Sequence, residues 1–107
     1  MNNNINNFVV GWKSWIKDEK RLGLNTIISY EIDLLYFIDF LTVYKNTDLT
    51  VNLIERIDED DISAWFFERL KRGISHRSNA RALSSLKSFI NYLILKKIIS
   101  NSKLLTI

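Results

Sequence analysis

Apolar residues recur along most of the chain at intervals of three and four positions, the spacing of residues that share one face of an α-helix. This periodicity predicts four helices, over residues 5–21, 25–45, 59–72 and 76–97. No stretch shows the alternation of a half-buried strand, and the sequence contains no proline that would break a helix. The predicted fold class is all-α, a compact four-helix domain.

The second predicted helix is apolar on almost every side, which favours a central position in the fold. Asn25 or Thr26 would cap its first turn. The acids of "DEDD", residues 58–61, stand at the start of the third helix, where they favour helix capping over the binding of a hard cation. Ser75 is placed to cap the fourth helix, and Gly73 to end the third.

The length of 107 residues corresponds to one small domain with a single core. Residues 1–97 contain the four predicted helices and form this domain. Residues 98–107 are expected to be a tail or the start of a linker, with Leu104, Leu105 and Ile107 exposed.

Few residues could carry catalysis or hold a metal. The chain has no cysteine, one histidine (His76) and three glycines. It therefore lacks the parts of a Ser–His–Asp triad, a multi-histidine metal site and a glycine-rich phosphate loop. The tyrosines and tryptophans lie among apolar residues at helical spacing and are expected in the core. We expect no catalytic residue, no metal and no cofactor in this chain.

The cellular location is predicted from what the sequence lacks. Its first residues do not form the basic and apolar regions of a secretion signal. No apolar run approaches the ~18 residues of a membrane span. The absence of cysteine fits a reducing compartment. The sequence thus predicts a cytoplasmic protein that does not associate with a membrane.

Charge is distributed unevenly along the chain. Residues 1–68 contain all twelve acids and six basic residues, whereas residues 69–107 contain nine basic residues and no acid. The dipole of the third helix accounts for part of this asymmetry, since that helix begins with acids and ends with basic residues. It does not account for Arg77 and Arg81, which lie early in the fourth helix, where the dipole disfavours cations. The excess indicates a polyanionic partner.

The fourth helix, "SHRSNARALSSLKSFINYL", divides into an apolar stripe and a polar side without any acid. Serines on the polar side would let the helix backbone approach a duplex closely, and the arginines would reach phosphates or the acceptor edge of guanine. An ordinary solvated helix face mixes glutamate with lysine. The composition therefore favours nucleic acid as the partner. The polar side contains Arg77, Ser78, Arg81, Ser84, Ser85, Ser88 and Asn91, with Lys87 at its edge.

Two stretches resemble the N-terminal core-binding, SAM-like domain of tyrosine recombinases of the Xer and phage-integrase type. The segment "GISHRSNARALSSLKSFINYL", from Gly73 to Leu93, is similar to the last helix of that domain, with Lys87 where arginine is usual. The segment "LGLNTIISYEIDL" is similar to the family's pattern of Leu-Ser-x-Asn-Thr, then Tyr, then Asp-Leu. The resemblance covers about residues 8–101.

The resemblance implies that residues 1–97 are one half of a C-shaped clamp on double-stranded DNA, with the second and fourth helices facing the major groove of a recombination half-site. A catalytic domain would follow the linker and cut and rejoin strands, and the parent protein would assemble as a tetramer on two DNA sites. The residues expected at the DNA are Asn25, Thr26, Ser29, Arg77, Arg81, Ser84, Lys87 and Ser88.

Two other functions stay open on the sequence alone. The basic face could meet an acidic surface of another protein, which would make the domain a helical interaction module. An RNA-binding bundle is the third hypothesis. RNA recognition commonly uses exposed aromatic side chains that stack on bases, and the aromatics here are expected in the core.

Overall fold

A computed structural model describes residues 4–107 and is helical throughout, with no strand among those residues. It contains α1 (Asn4–Asp18), α2 (Leu24–Lys45), α3 (Val51–Glu55), α4 (Glu59–Lys71) and α5 (His76–Leu95), followed by a 3₁₀ turn at Lys103–Thr106. The prediction of an all-α fold is confirmed. Its four helices correspond to α1, α2, α4 and α5, and α3 adds a single short turn.

The core lies where α1, α2 and α4 pack against α5, and the contact between α2 and α5 is the most extensive in the structure. Two aromatic pairs fill its centre. Trp12 meets Phe89 edge to face with ring centroids 5.6 Å apart, and Phe37 meets Trp65 in the same way at 4.7 Å. All four side chains are almost completely buried, so they account for much of the apolar burial that stabilises the fold.

The outer face of α2 is apolar and exposed, so the prediction that α2 is central is wrong for this face. Ile28, Ile32 and Val43 are 46%, 46% and 81% exposed. They lie on the side of the helix opposite Leu34, Phe37 and Leu41, which are buried. The helix was expected to be surrounded because it is apolar on all sides, but α1, α4 and α5 cover only its inner side.

Two helices end before their predicted limits. α1 ends at Asp18 instead of residue 21, and α5 ends at Leu95 instead of residue 97. Arg21 and Lys97 adopt positive φ angles of 55° and 61°, the left-handed conformation that terminates a helix. The sequence did not indicate these ends, because glycine is the usual residue at such positions and neither is glycine.

The starts of the helices agree in part with the predicted caps. Ser75 caps α5 by accepting a hydrogen bond from the Ser78 amide at 3.1 Å. Asp58 and Asp61 form a reciprocal capping box at the start of α4, which confirms their capping role. The cap predicted for α2 is wrong. Its N-cap is Gly23, which makes no side-chain bond, and Asn25 lies within the first turn.

The segment after α5 packs against the domain. Leu104 is fully buried and Ile99 is 5% exposed, while the Asn101 side-chain amide donates to the Ile57 carbonyl at 2.9 Å. The prediction that Leu104 and Leu105 are exposed is therefore wrong, because the 3₁₀ turn packs against α5 and buries Leu104 fully and Leu105 in part. Ile107 is 37% exposed. The domain limit at residue 97 stays a prediction.

Gly73 is the residue that allows α4 to end in a tight turn. Its φ is +84°, the Gly73 amide donates to the Leu70 carbonyl at 3.0 Å, and the Ile74 amide donates to the Arg69 carbonyl at 3.1 Å. These two bonds form the Schellman motif, which satisfies carbonyls that the helix end would leave unpaired. The predicted role of Gly73 as the end of this helix is confirmed.

Gly73→Ala should lower the free energy of unfolding by about 1 kcal/mol, because L-residues with a Cβ are strained at positive φ. A Cβ at this position would meet nothing within 4 Å, so the change tests backbone conformation alone. Gly73→Asn is the matched control and should lose less, since asparagine tolerates the left-handed region. Chemical denaturation measures both variants. A Gly73→Ala variant as stable as the parent chain would contradict the expectation.

Candidate nucleic-acid interface

The outer side of α5 brings five of the eight predicted site residues onto one face. Arg77, Arg81 and Ser84 are exposed, and Lys87 and Ser88 are half-buried. Helical spacing places them within one arc opposite the buried stripe of α5. We call these five residues the α5 face. Ser85 was also expected on this side, but it is fully buried and donates to the Tyr30 carbonyl at 2.6 Å.

The first half of α2 lies beside the first half of α5. Two long-range contacts fix this arrangement: the Ser85 hydroxyl bonds the Tyr30 carbonyl, and Arg81 binds Asp33. Ser29 precedes Asp33 by one turn and is half-buried.

The other two residues predicted on α2 lie further from this contact. Asn25 and Thr26 are both exposed in the first turn of the helix. Asn25 stands about 12 Å along the helix axis from Asp33, given the rise of an α-helix. Of the three predicted α2 residues, Ser29 thus lies nearest to this contact, and Asn25 and Thr26 lie further towards the start of α2.

Arg81 forms a two-pronged ion pair with Asp33. Its Nε donates to Asp33 Oδ2 at 2.8 Å and its Nη2 donates to Oδ1 at 3.1 Å. The Asp33 side chain is 3% exposed, whereas that of Arg81 is 48% exposed. The hydrogen bond to Asp33 raises the pKa of Arg81 above its ordinary value. The sequence prediction missed this partner, because Asp33 is one of several acids scattered along α2.

A second arginine of the basic half lies inside the protein. Arg69 is 7% exposed, donates from Nε to Asn79 Oδ1 at 2.6 Å, and places its guanidinium 5.1 Å from the Trp65 ring centroid. Burial lowers its pKa, because the charged form loses its contact with water. Arg69 therefore does not contribute an accessible cation, although it belongs to the basic half of the sequence.

An open depression adjoins the C-terminal part of the α5 face, at Ser84, Lys87 and Ser88. Lys20 lines it and was not among the predicted site residues. Its Nζ lies 5.1 Å from the centroid of the Trp15 ring, in the connection between α1 and α2. The sequence shows only that Lys20 lies just before α2. The tertiary structure is needed to show that the connection between α1 and α2 lies beside α5. The depression is lined by Trp15, Lys20, Leu22, Tyr30, Ser84, Lys87, Ser88, Asn91 and Leu105.

Besides Arg81, two residues of the α5 face have partners within the protein. Lys87 Nζ donates to the backbone carbonyl of Ile107. Ser88 Oγ accepts from Trp12 Nε1 at 3.0 Å, which leaves the hydroxyl hydrogen able to donate outwards. Arg77 has no ion pair among residues 4–107. The α5 face thus combines one unpaired cation, two paired cations and two small hydroxyl groups.

The sequence of residues 9–97 matches the family of phage integrase N-terminal, SAM-like domains. The chain belongs to this family. The resemblance drawn from the two sequence segments is thereby confirmed, and the chain is an N-terminal domain of the tyrosine-recombinase type. No solved structure matches. None of the helices in the described part of the chain is long and apolar enough to cross a membrane.

Individual relatives are tyrosine recombinases named XerC. The chain is 30% identical to the XerC of Rickettsia typhi over 101 residues, which cover 94% of this chain and 33% of that protein. It is 30% identical to the XerC of Rickettsia prowazekii over 89 residues, which cover 83% of this chain and 29% of that protein. The chain spans about a third of the length of the curated relatives it matches.

Asn79→Ala should lower the free energy of unfolding by about 2 kcal/mol, because it removes a buried acceptor and leaves a charged donor of Arg69 unpaired. Asn91→Ala is a matched control on the same helix. Asn91 is half-buried and has no side-chain hydrogen bond among the described residues, so its replacement should change stability by less than about 0.5 kcal/mol. Equal losses in the two variants, measured by chemical denaturation, would contradict the role given to the Arg69–Asn79 bond.

Proposed function

We propose that this domain binds double-stranded DNA, with the α5 face and the start of α2 directed at the major groove. The observation that carries the proposal is the composition of the α5 face, in which Arg77, Arg81 and Lys87 alternate with Ser84 and Ser88 and no acid interrupts them. An α-helix fits the major groove, and small serines let its backbone approach the bases. Arg77 would neutralise a phosphate, and hydroxyl groups would donate to phosphate oxygens.

The first turns of α2 would supply further contacts. Asn25 and Thr26 are exposed there, and Ser29 lies one turn before Asp33, the partner of Arg81. Small polar side chains and the amides of a helix N-terminus are suited to phosphate contacts. Lys20, which borders the depression beside the α5 face, would add a cation at the same edge.

The domain would hold a recombination half-site while another part of a longer protein cuts and rejoins the strands. This proposal extends from the family to the whole protein, since the relatives that the chain matches are tyrosine recombinases about three times as long. A tetramer on two DNA sites is the corresponding proposal for the assembly. The grip on DNA is the part of this activity that the α5 face would supply.

A protein partner is the second candidate, and the exposed apolar face of α2 favours it. Ile28, Ile32 and Val43 form an apolar stripe of a kind that often marks protein contacts. Single-stranded RNA is the third. The expectation that all aromatics are buried is wrong for Tyr36, Tyr44 and Phe67, which are 60%, 50% and 64% exposed. Both tyrosines lie on α2, outside the α5 face.

Fluorescence anisotropy distinguishes the candidates. A labelled duplex several helical turns long and a single-stranded RNA of equal length are titrated with the domain at a series of salt concentrations. Duplex binding that exceeds RNA binding and weakens steeply with salt would support the proposal, because displaced counterions are the signature of phosphate contacts. Failure to bind the duplex at low salt, or a preference for the RNA, would overturn it.

Arg77→Ala should reduce the magnitude of the slope of log K against log salt by about 0.9, the value for one phosphate contact. Arg56→Ala is the control, because Arg56 is exposed at the end of α3 and changes the net charge by the same amount away from the α5 face. The slope should fall in the first variant and change little in the second. Equal slopes for the two variants would remove Arg77 from the phosphate contacts.

A further inference from the structure

We propose that Asp33 is a positioning residue that orients Arg81 to read a guanine in the major groove. The inference rests on the proposed duplex binding and adds to it the base that one side chain recognises. It begins from the asymmetry of the ion pair: the Asp33 side chain is 3% exposed between α2 and α5, while the Arg81 side chain is 48% exposed on the α5 face.

The hydrogen-bond donors of Arg81 divide into two edges. A guanidinium has five N–H donors in a fixed planar fork. Asp33 accepts from Nε and from one hydrogen of Nη2. The remaining hydrogens are one on Nη2 and two on Nη1, and one from each nitrogen forms the terminal edge of the group. That edge has the geometry that pairs with the O6 and N7 acceptors of guanine.

Contact with Asp33 also removes much of the conformational freedom of Arg81. A free arginine loses considerable rotamer entropy when it binds. Two hydrogen bonds to a buried carboxylate fix the plane of the guanidinium before any partner arrives, which favours a directional contact over a diffuse one. Asp33 is itself held by α2, whose position beside α5 is fixed by the bond from Ser85 to the Tyr30 carbonyl.

Charge argues for a base in preference to a phosphate. Arg81 and Asp33 together carry no net charge, so the pair attracts a phosphate less than an isolated cation does. Arg69 lies close enough to affect both charges, but it is buried and its Nε is bonded to Asn79. Arg77 has no ion pair among the described residues and is the better phosphate anchor. On the α5 face, Arg77 would therefore contribute affinity through its charge, and Arg81 would contribute base selectivity through its oriented guanidinium.

The test compares base selectivity and salt dependence in the same variants. A pool of random duplexes is selected on the unmodified domain, and the strongest sequence is then synthesised with each base pair replaced in turn. Anisotropy gives the affinity of every duplex. The unmodified domain should prefer guanine at one position by about tenfold or more, the discrimination of one bidentate contact. Arg81→Lys keeps the charge and loses the fork, so it should lose that preference while the salt slope stays the same.

Asp33→Asn separates positioning from simple support of the fold. It removes a negative charge, so it should leave binding to non-specific duplex as strong or stronger while the guanine preference falls several-fold. A variant that only damaged the fold would lose both. Thermal melting shows whether Asp33→Asn is folded at the assay temperature. If Asp33→Asn is unfolded, Asp33→Glu is used instead, because it keeps the negative charge but shifts the carboxylate. Glu should likewise reduce the guanine preference.

The outcomes distinguish the two proposals. If the unmodified domain does not bind duplex, the proposed function fails. If it binds but selects no guanine that depends on Arg81, or if the folded Asp33 variant keeps the full preference, only this inference fails.

Discussion

The packing of α2 against α5 determines how the rest of the domain can be used. The Ser85 hydroxyl reaches the Tyr30 carbonyl at 2.6 Å, and Asp33 binds Arg81 through two hydrogen bonds. Each contact joins residues about fifty positions apart in the sequence, so neither forms until the core is assembled. Polar groups buried in this way must be paired, which fixes the register between the two helices more strictly than apolar packing does. That register places Tyr30 and Asp33 of α2 beside Ser85 and Arg81 of α5.

The nine basic residues of the second part of the chain do not act as one patch. Arg69 lies in the interior against Trp65 and Asn79, and the charge of Arg81 is balanced by its ion pair with Asp33. Arg77 is exposed without an ion pair in the described part of the chain. Net charge therefore overstates how much cationic surface a polyanion would meet. The fold instead presents a smaller set of hydrogen-bond donors with defined directions on α5. Serines of the same helix lie beside them.

Helix content and the apolar stripe of α5 could be predicted because both follow from periodicity within one segment. The capping box of Asp58 and the cap at Ser75 are equally local, and both were predicted. The ends at Arg21 and Lys97 were missed, because their left-handed conformation depends on the following chain packing back on the core. Burial of Leu104 was missed for a related reason, since a short apolar tail carries no periodic signal.

The candidate site, too, could be predicted only where it depends on one segment of the chain. The α5 face could be read from one helix, but the partners of its residues come from elsewhere in the fold. Asp33 lies 48 residues before Arg81, and Lys20 lies in a connection that only the tertiary structure brings to α5. The exposed apolar side of α2 was likewise hidden, because composition alone does not show which side of a helix the neighbours cover.

The α5 face, together with the start of α2, is proposed as the surface that meets duplex DNA. Amide chemical shifts of the isotopically labelled domain, followed by NMR during titration with a duplex, test it most directly. The largest shifts should occur around Asn25 to Ser29 and Arg77 to Ser88, with little change in α3 and α4. Shifts confined to α4 or to the apolar side of α2 near Val43, or none at saturating duplex, would contradict it.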